Sequence, residues 1–469
     1  MLVRLPERPR RLDENNGSVQ RLNNAEERFE EIINTNKPSL VRDPAVHLNG
    51  EREAVGDCGA PATGGALAGD VVERRVHLHS IEETGIRLQE RRIFRDTKTT
   101  GGKTPPSARA DPHVLIISAR IFYVAGKYIR DPVHGEIFIP EELLPIIDHP
   151  YMQRLRRVRQ LALAEIVYPS ATHSRFSHSL GVYHITAHAT TSLETLAYAL
   201  VHDVGHGPLS HLSEYALRKN GYEFDHEERL KEVLPEILED TVLSAKDVLN
   251  AAENPLVMGG IGSDRLDYLR RDSYFAGVAV GEIAWDRIVR NVAIKDGKLL
   301  ARYKILPNVE HIFVSRFILG DALYFHKTAL IANEMFVRAL GELLNYYKPK
   351  EIVEMDDVAL IKAFRETENR WWLEIERRKL FEMVFRSPKR EEAQATFEKI
   401  AGEYGEENVL MGERTPWHKP PEVIMEDGRA VEEISPLVAS LRETDRSRHY
   451  YFVAVRTRGP SNVPRHSPL

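Results

Sequence analysis

Two histidines and two aspartates constrain this chain more than anything else in it: His178, the adjacent pair His202–Asp203, and Asp264. They stand in the segments SRFSHSLG, ALVHDVGHGPLSH and GSDRLDYLRRD, which read as helical. Two imidazoles and two carboxylates make a mixed nitrogen and oxygen ligand set for a divalent transition metal. For that set to close, helices from separate parts of the chain must converge, as they do around metal sites in helical bundles. The chain has 19 histidines in 469 residues, yet His173, His178, His184, His188, His202, His206, His211 and His226 crowd one short stretch. Neighbouring helical residues diverge by about 100°. His202 and Asp203 therefore cannot share a narrow stripe, but together they can embrace an ion lying between two helices. After the pair, Gly205, Gly207 and Pro208 oppose continuation of the helix. That break places His206 beside the metal and lets a new helix carry His211.

Further strings extend the pattern: IRDPVHGEI (Ile129 to Ile137), IIDHPYMQRLRRVRQL (Ile146 to Leu161), THSRFSHSLGV (Thr172 to Val182), HDVGHGPLSH (His202 to His211), DHE (Asp225 to Glu227) and SDRLDYLRRD (Ser263 to Asp272). In order and content they resemble the HD superfamily of metal-dependent phosphohydrolases. The resemblance is to the branch holding the SAM-and-HD-domain dNTP triphosphohydrolase and its prokaryotic relatives, without a SAM domain. It covers about residues 127 to 345. It implies a mainly α fold: an HD-domain helical bundle, a small α+β C-terminal part and a disordered N-terminal extension.

The resemblance also assigns roles. His178, His202, Asp203 and Asp264 are the metal ligands, and the metal is Mn, Fe, Mg, Zn or Ni, since His/Asp sites accept several. Arg175 stands one helical turn before His178 and can reach a phosphate on the same side; the matching family arginine does so. His206 takes a phosphate-facing role and His211 that of the general acid, with His226 beside them, because only imidazole titrates near neutrality. Glu214, three residues after His211, is placed to orient it across a helical turn, where the family more often has aspartate. Tyr268 and Asp272 match residues that bind substrate sugar or phosphate, and Gln160–Leu161 matches a position packed against the deoxyribose. In the later helix LYFHKTALIANEMF the chain departs from the animal enzyme, offering Lys327 or Thr328, Ala332 and Phe336 near the nucleotide. Asp131, Asp148 and Arg156 occupy positions resembling those that bind an activating nucleotide at subunit contacts. A homo-oligomer, dimer or tetramer, is implied with them.

The implied reaction is hydrolysis of a dNTP to deoxynucleoside and triphosphate. The residues leave open a phosphomonoesterase, a nuclease or a cyclic-nucleotide phosphodiesterase on the same metal site. They also leave open a nucleotide-sensing or nucleic-acid-binding regulator, for which the basic run Arg154, Arg156, Arg157 and Arg159 would speak. That run reads better as a solvated helix face or an oligomer contact.

Composition fits a soluble globular protein, with 42% hydrophobic and 29% charged residues and a net charge of −6. That charge opposes a surface coated in nucleic acid. The one cysteine, Cys58, excludes an intrachain disulfide and suits a reducing cytoplasm. No apolar run approaches the roughly 20 residues that span a bilayer, and the first residues lack the apolar centre of a secretory signal.

The organisation divides into an extension over 1–125, an HD domain over 126–345, an α+β region over 346–456 and a loose tail over 457–469. The extension is rich in Gly, Pro, Thr and Ala without sustained periodicity. It reads as flexible, or as translated sequence upstream of the original start. Its TTGGKT string is not a phosphate loop, because the required glycine five residues before Gly102 is Thr97. Ser263 is a candidate helix N-cap, Gly320 marks a bend, and VRNVAIKDGKLLARY predicts a hairpin around Asp296–Gly297. Strands are expected at PEVIME and YYFVAVRT.

Overall fold

Ser174 accepts a hydrogen bond from the Ser177 N–H at 3.3 Å and so starts the helix Arg175–Ala187 (α1). Ser192 does the same for Leu193–Val201 (α2), taking the Thr195 N–H at 3.2 Å. His202 and Asp203 follow directly. Past the GHGP break come His211–Lys219 (α3) and His226–Ile237 (α4), the latter capped by Asp225. Ser263–Ala276 (α5) begins differently from expectation. Gly262 is its N-cap, and Ser263 is the first helical residue. The Ser263 hydroxyl is turned instead toward α1, 2.6 Å from Thr186 Oγ1.

The long apolar stretch that follows forms Leu306–Leu319 (α6) and Lys327–Leu343 (α7), joined by a π-helical turn over Gly320–Tyr324. The bend thus falls where the glycine predicts it. Asp357–Glu366 (α8), Arg390–Tyr404 (α9) and Pro436–Ser447 (α10) complete the longer helices.

This is a computed structural model that describes residues 115–117, 120–122, 125–415 and 422–456. Most of the expected N-terminal extension, and the expected tail over 457–469, lie outside the described residues. Within the extension, Leu115–Ile117 (β1) pairs antiparallel with Arg120–Phe122 (β2), a strand pair that the composition does not suggest. Gly126–Asp131 (β3) and Gly135–Pro140 (β4) form a hairpin whose turn holds Asp131 and His134. Val292–Lys295 (β5) and Lys298–Ala301 (β6) form the expected hairpin, with Asp296 and Gly297 at positive φ. Phe381–Ser387 (β7), Val409–Arg414 (β8), Ile424–Met425 (β9) and Tyr450–Arg456 (β10) lie in the C-terminal part. β10 is the centre of an antiparallel sheet between β7 and β8, and β9 adds in parallel to β6.

Side-chain packing fixes these pieces. One core joins Ile137 and Ile139 of β4 to Phe176 and Leu180 of α1, Val201 of α2 and Leu234 of α4. A second joins Leu212 of α3 and Leu340 of α7 to Phe364, Trp372 and Phe452, drawing on both sides of residue 345. A third joins Leu266 and Leu269 of α5 to Phe313 of α6, Ala301 and Val438. No helix among the described residues is long and apolar enough to cross a membrane.

Candidate metal centre and its histidine annex

Close approach of α1, α2 and α5 makes the site. Gly181 on α1 lets α5 come near, since a Cβ there would lie 1.8 Å from Asp267 Oδ1. Gly205 does the same for α4, because a Cβ would meet the His226 carbonyl oxygen at 2.0 Å. Both glycines stand beside histidines that the sequence singles out.

The four expected ligands are brought together. His178 Nε2 lies 3.1 Å from Asp264 Oδ1 and 3.6 Å from Asp203 Oδ2. His202 Nε2 lies 3.5 Å from Asp203 Oδ1 and 3.9 Å from Asp264 Oδ1. Ligand bonds of about 2.0–2.2 Å at tetrahedral to octahedral angles separate neighbouring donor atoms by roughly 3–3.5 Å, so the spacing suits one ion. His202 Nδ1 faces the Ala199 carbonyl at 3.0 Å and carries the proton, leaving Nε2 as an acceptor. That Nε2 is buried and has no hydrogen-bond partner among the described residues. A buried imidazole lone pair aimed between two carboxylates is costly unless something binds it, and a divalent cation fits that place.

The electrostatics agree. Burial opposes protonation of His178, yet hydrogen bonds to Asp264 and Asp267 and the charge of Asp203 raise it to about 10. The pocket therefore stabilises positive charge strongly. Burial likewise opposes ionisation of Asp203, but Arg175 and the neighbouring histidines hold its carboxyl well below the ordinary range.

A second cluster adjoins the first. His206, His211 and His226 each offer a nitrogen within 4.8 Å of the others. His206 donates from Nδ1 to the Asp203 carbonyl at 3.2 Å, and its Nε2 is buried without a partner among the described residues. Burial, with the Arg175 cation nearby, pushes the His206 imidazole well below its ordinary value. Glu214 accepts from His226 Nδ1 at 3.0 Å and stands 3.7 Å from His211 Nδ1. The carboxylate thus orients His226 more closely than His211, the reverse of the sequence expectation. His211 is itself exposed.

Arg175 is not a solvated arginine. It is buried, with Nη1 2.6 Å from Asp203 Oδ2 and Nε donating to Ser210 Oγ at 2.7 Å. Leu209 and Ser210 hold positive φ, and Asp357 of α8 steadies that stretch by accepting the Leu209 N–H at 2.7 Å.

Of the other expected contacts, Gln160 has its Oε1 buried without a partner among the described residues. Leu161 is half-buried against the third core. Asp272 is buried, 2.8 Å from His173 Nε2 and 2.7 Å from the Tyr324 hydroxyl. Tyr268 accepts from Arg265 Nε at 3.3 Å. Lys327 is exposed at the start of α7. Ala332 and Phe336 are fully buried, and Phe336 packs against Phe364 and Trp372 in the second core.

Asp131, Asp148 and Arg156 each stand in a different local setting. Asp131 is buried in an ion pair with Arg271 at 2.8 Å, Asp148 is exposed at a helix end, and Arg156 lies 3.8 Å over the Phe176 ring. The basic run is largely committed to internal ties. Arg154 donates to the carbonyls of Met355, Val204 and His206; Arg157 pairs with Asp356, and Arg159 with Glu165.

Residue patterns alone miss Asp267, His134, Arg271, His173 and Tyr324. The signal for two of them was present on α5, where Asp267 follows Asp264 by three and Arg271 follows by four more, the spacing of one helix face.

Two family models match the chain: the HD domain over residues 175–267 and the HD associated region over residues 283–455. An uncharacterized protein of Methanocaldococcus jannaschii is 34% identical over 54% of this chain and 58% of its own length. A deoxynucleoside triphosphate triphosphohydrolase SAMHD1 homolog of Dictyostelium discoideum is 27% identical over 50% of this chain and 54% of its own. The chain thus spans a little over half the length of the curated relatives it matches. The crystal structure of a hypothetical protein from Aquifex aeolicus superposes with a TM-score of 0.59 at 30% identity, covering 71% of this chain and 97% of that one. Together with the convergence of His178, His202, Asp203 and Asp264, these matches show that the chain belongs to the HD-domain phosphohydrolase family.

Proposed function

We propose that the chain hydrolyses deoxynucleoside triphosphates at the α-phosphorus, releasing deoxynucleoside and triphosphate. The observation that carries the reading is the unpartnered His202 Nε2, set between Asp203 and Asp264 and adjoining three more histidines. The likeness to a relative named as a dNTP triphosphohydrolase homolog supports the substrate class.

His178, His202, Asp203 and Asp264 would hold a divalent ion. When bound, such an ion lowers the pKa of water and neutralises phosphoryl charge. Arg175 adds a fixed cation at the edge of that site and keeps Asp203 in its ligating orientation. His206 and His226 present nitrogens to the phosphate chain, with His226 held by Glu214. Water attacks the α-phosphorus, the bond from phosphorus to the 5′ oxygen breaks, and that oxygen takes a proton. His211, the exposed imidazole of the annex, supplies it.

The test incubates the full chain and Mn2+ with each dNTP and identifies products by chromatography. Deoxynucleoside and intact triphosphate in equal amounts are expected. Release of inorganic phosphate or nucleoside monophosphate instead would replace this reading with a phosphomonoesterase or diesterase on the same residues.

A further inference from the structure

Asp267 is not in the ligand set, yet its carboxylate is the most heavily bonded near the site. It is fully buried, and four donors converge on its two oxygens. On Oδ2 these are His178 Nδ1 at 2.7 Å and Arg271 Nε at 2.9 Å. On Oδ1 they are Arg271 Nη2 at 3.0 Å and His134 Nε2 at 2.7 Å. Arg271 carries on to Asp131, with Nη1 2.8 Å from its Oδ2. Asp131 in turn accepts the N–H groups of Val133 and His134, both at 2.9 Å, and so fixes the turn between β3 and β4.

His134 stands in that turn, far along the chain from α5. Its side chain is fully buried, and its Nδ1 has no hydrogen-bond partner among the described residues. Among the described residues, the hydrogen bond of its ring goes to Asp267. Rings of His184 and Trp285 pack around it, with centroids at 5.1 and 5.8 Å. Burying an imidazole with one nitrogen unsatisfied is unfavourable. The bond to Asp267 is what the position gains in return.

We propose that His134 is a positioning residue for the metal centre: through Asp267 it fixes the ring orientation and tautomer of His178, so the β3–β4 turn sets how tightly the site holds its ion. Asp267 needs donors on Oδ1 to keep Oδ2 facing His178 Nδ1. With Nδ1–H held by Asp267, Nε2 is the nitrogen left to give up its proton and turn a lone pair toward an ion beside Asp264 and Asp203. Partners at this remove from a metal typically change affinity by about 10–100-fold.

The inference rests on the metal reading above, and the experiment separates the two. Mn2+ affinity of the full chain is measured by chelator competition, and melting is measured without metal, for wild type, His178→Ala, His134→Phe and His134→Gln. Phenylalanine keeps the packing against Trp285 but has no donor, whereas glutamine keeps an N–H but loses the ring. His134→Phe is expected to weaken Mn2+ binding roughly tenfold while the metal-free protein melts near wild type; His134→Gln is expected to retain affinity within about threefold. A packing role alone gives the opposite order, with Phe tolerated and Gln not, and overturns the proposal. Should the Phe variant fail to fold, His134→Leu against His134→Gln makes the same comparison. If wild type binds no Mn2+ that His178→Ala removes, the metal reading falls and takes this one with it. If wild type binds and His134→Phe binds equally, only the role of His134 is lost.

Discussion

Arg175 Nη1 lies 2.6 Å from Asp203 Oδ2, and both side chains are almost wholly buried. The arginine that the sequence offers to a phosphate therefore already holds Asp203, one of the four expected ligands. It balances part of the negative charge that Asp203, Asp264 and Asp267 bring into one small volume. Removing one partner of a buried pair leaves the other uncompensated, at about 3–5 kcal/mol. Arg175→Ala should therefore lower the urea midpoint of the metal-free protein markedly. His202→Ala removes the unsatisfied Nε2 together with the Nδ1 hydrogen bond to Ala199, so it should abolish metal binding and turnover while lowering that midpoint less than Arg175→Ala does. Equal midpoints for Arg175→Ala and wild type would mean that the pair contributes little to the fold.

His184 is expected to make the protein acid-sensitive. Burial pushes its imidazole down to about 3, helped by His134 and His188 and opposed by Asp131 and Asp267. In the unfolded chain it titrates near its ordinary 6.5. Below that value the unfolded state binds a proton that the folded state refuses, so stability is lost as pH falls from about 6.5 toward 3. At pH 5 the loss from this one group is at most about 2 kcal/mol. Unfolding free energies at pH 7 and pH 5 should show His184→Phe losing 1–2 kcal/mol less than wild type, roughly. A parallel decline in the two proteins would assign the acid sensitivity elsewhere.

The contrast between what the residues disclosed and what they hid has physical causes. That His178, His202, Asp203 and Asp264 converge is legible because His–Asp at a helix end, a glycine-rich break and an acidic helix start are all local patterns. Gly320 marks its bend for the same reason. The support behind His178 was hidden because His134 meets Asp267 across much of the chain, and no spacing rule joins them. The arginine run is legible only in part: Arg156 and Arg157 are exposed, as on a solvated face, whereas Arg154 is tied inward. Its partners include backbone carbonyls at Met355, Val204 and His206, and carbonyl positions leave no trace in residue identity. Ser263 lost its capping role because a hydroxyl partner on α1 was available. The parallel pairing of β9 with β6 likewise depends on a long crossover between Ala301 and Ile424 that two short strands cannot encode.

Tyr324 offers a test of how the sugar is read. Its hydroxyl donates to Asp272 Oδ2 at 2.7 Å, while His173 holds Oδ1 at 2.8 Å. Both oxygens of the carboxylate expected to meet the substrate are therefore engaged by the protein. A carboxylate oxygen can accept more than one hydrogen bond, so a sugar hydroxyl would share Oδ2 with the tyrosine. Tyr324→Phe removes the competitor and leaves that lone pair unsatisfied until substrate arrives. The variant should melt lower, since a buried acceptor without its donor costs about 1–3 kcal/mol. It should also favour a substrate with a 3′-hydroxyl over its 3′-deoxy analogue by about 1 kcal/mol more than wild type does, roughly fivefold in the ratio of kcat/KM values. The comparison needs only dATP and its dideoxy counterpart, assayed with both proteins at equal metal. An unchanged ratio beside a lowered melting temperature would confine Tyr324 and Asp272 to holding α5 against the π-helical turn.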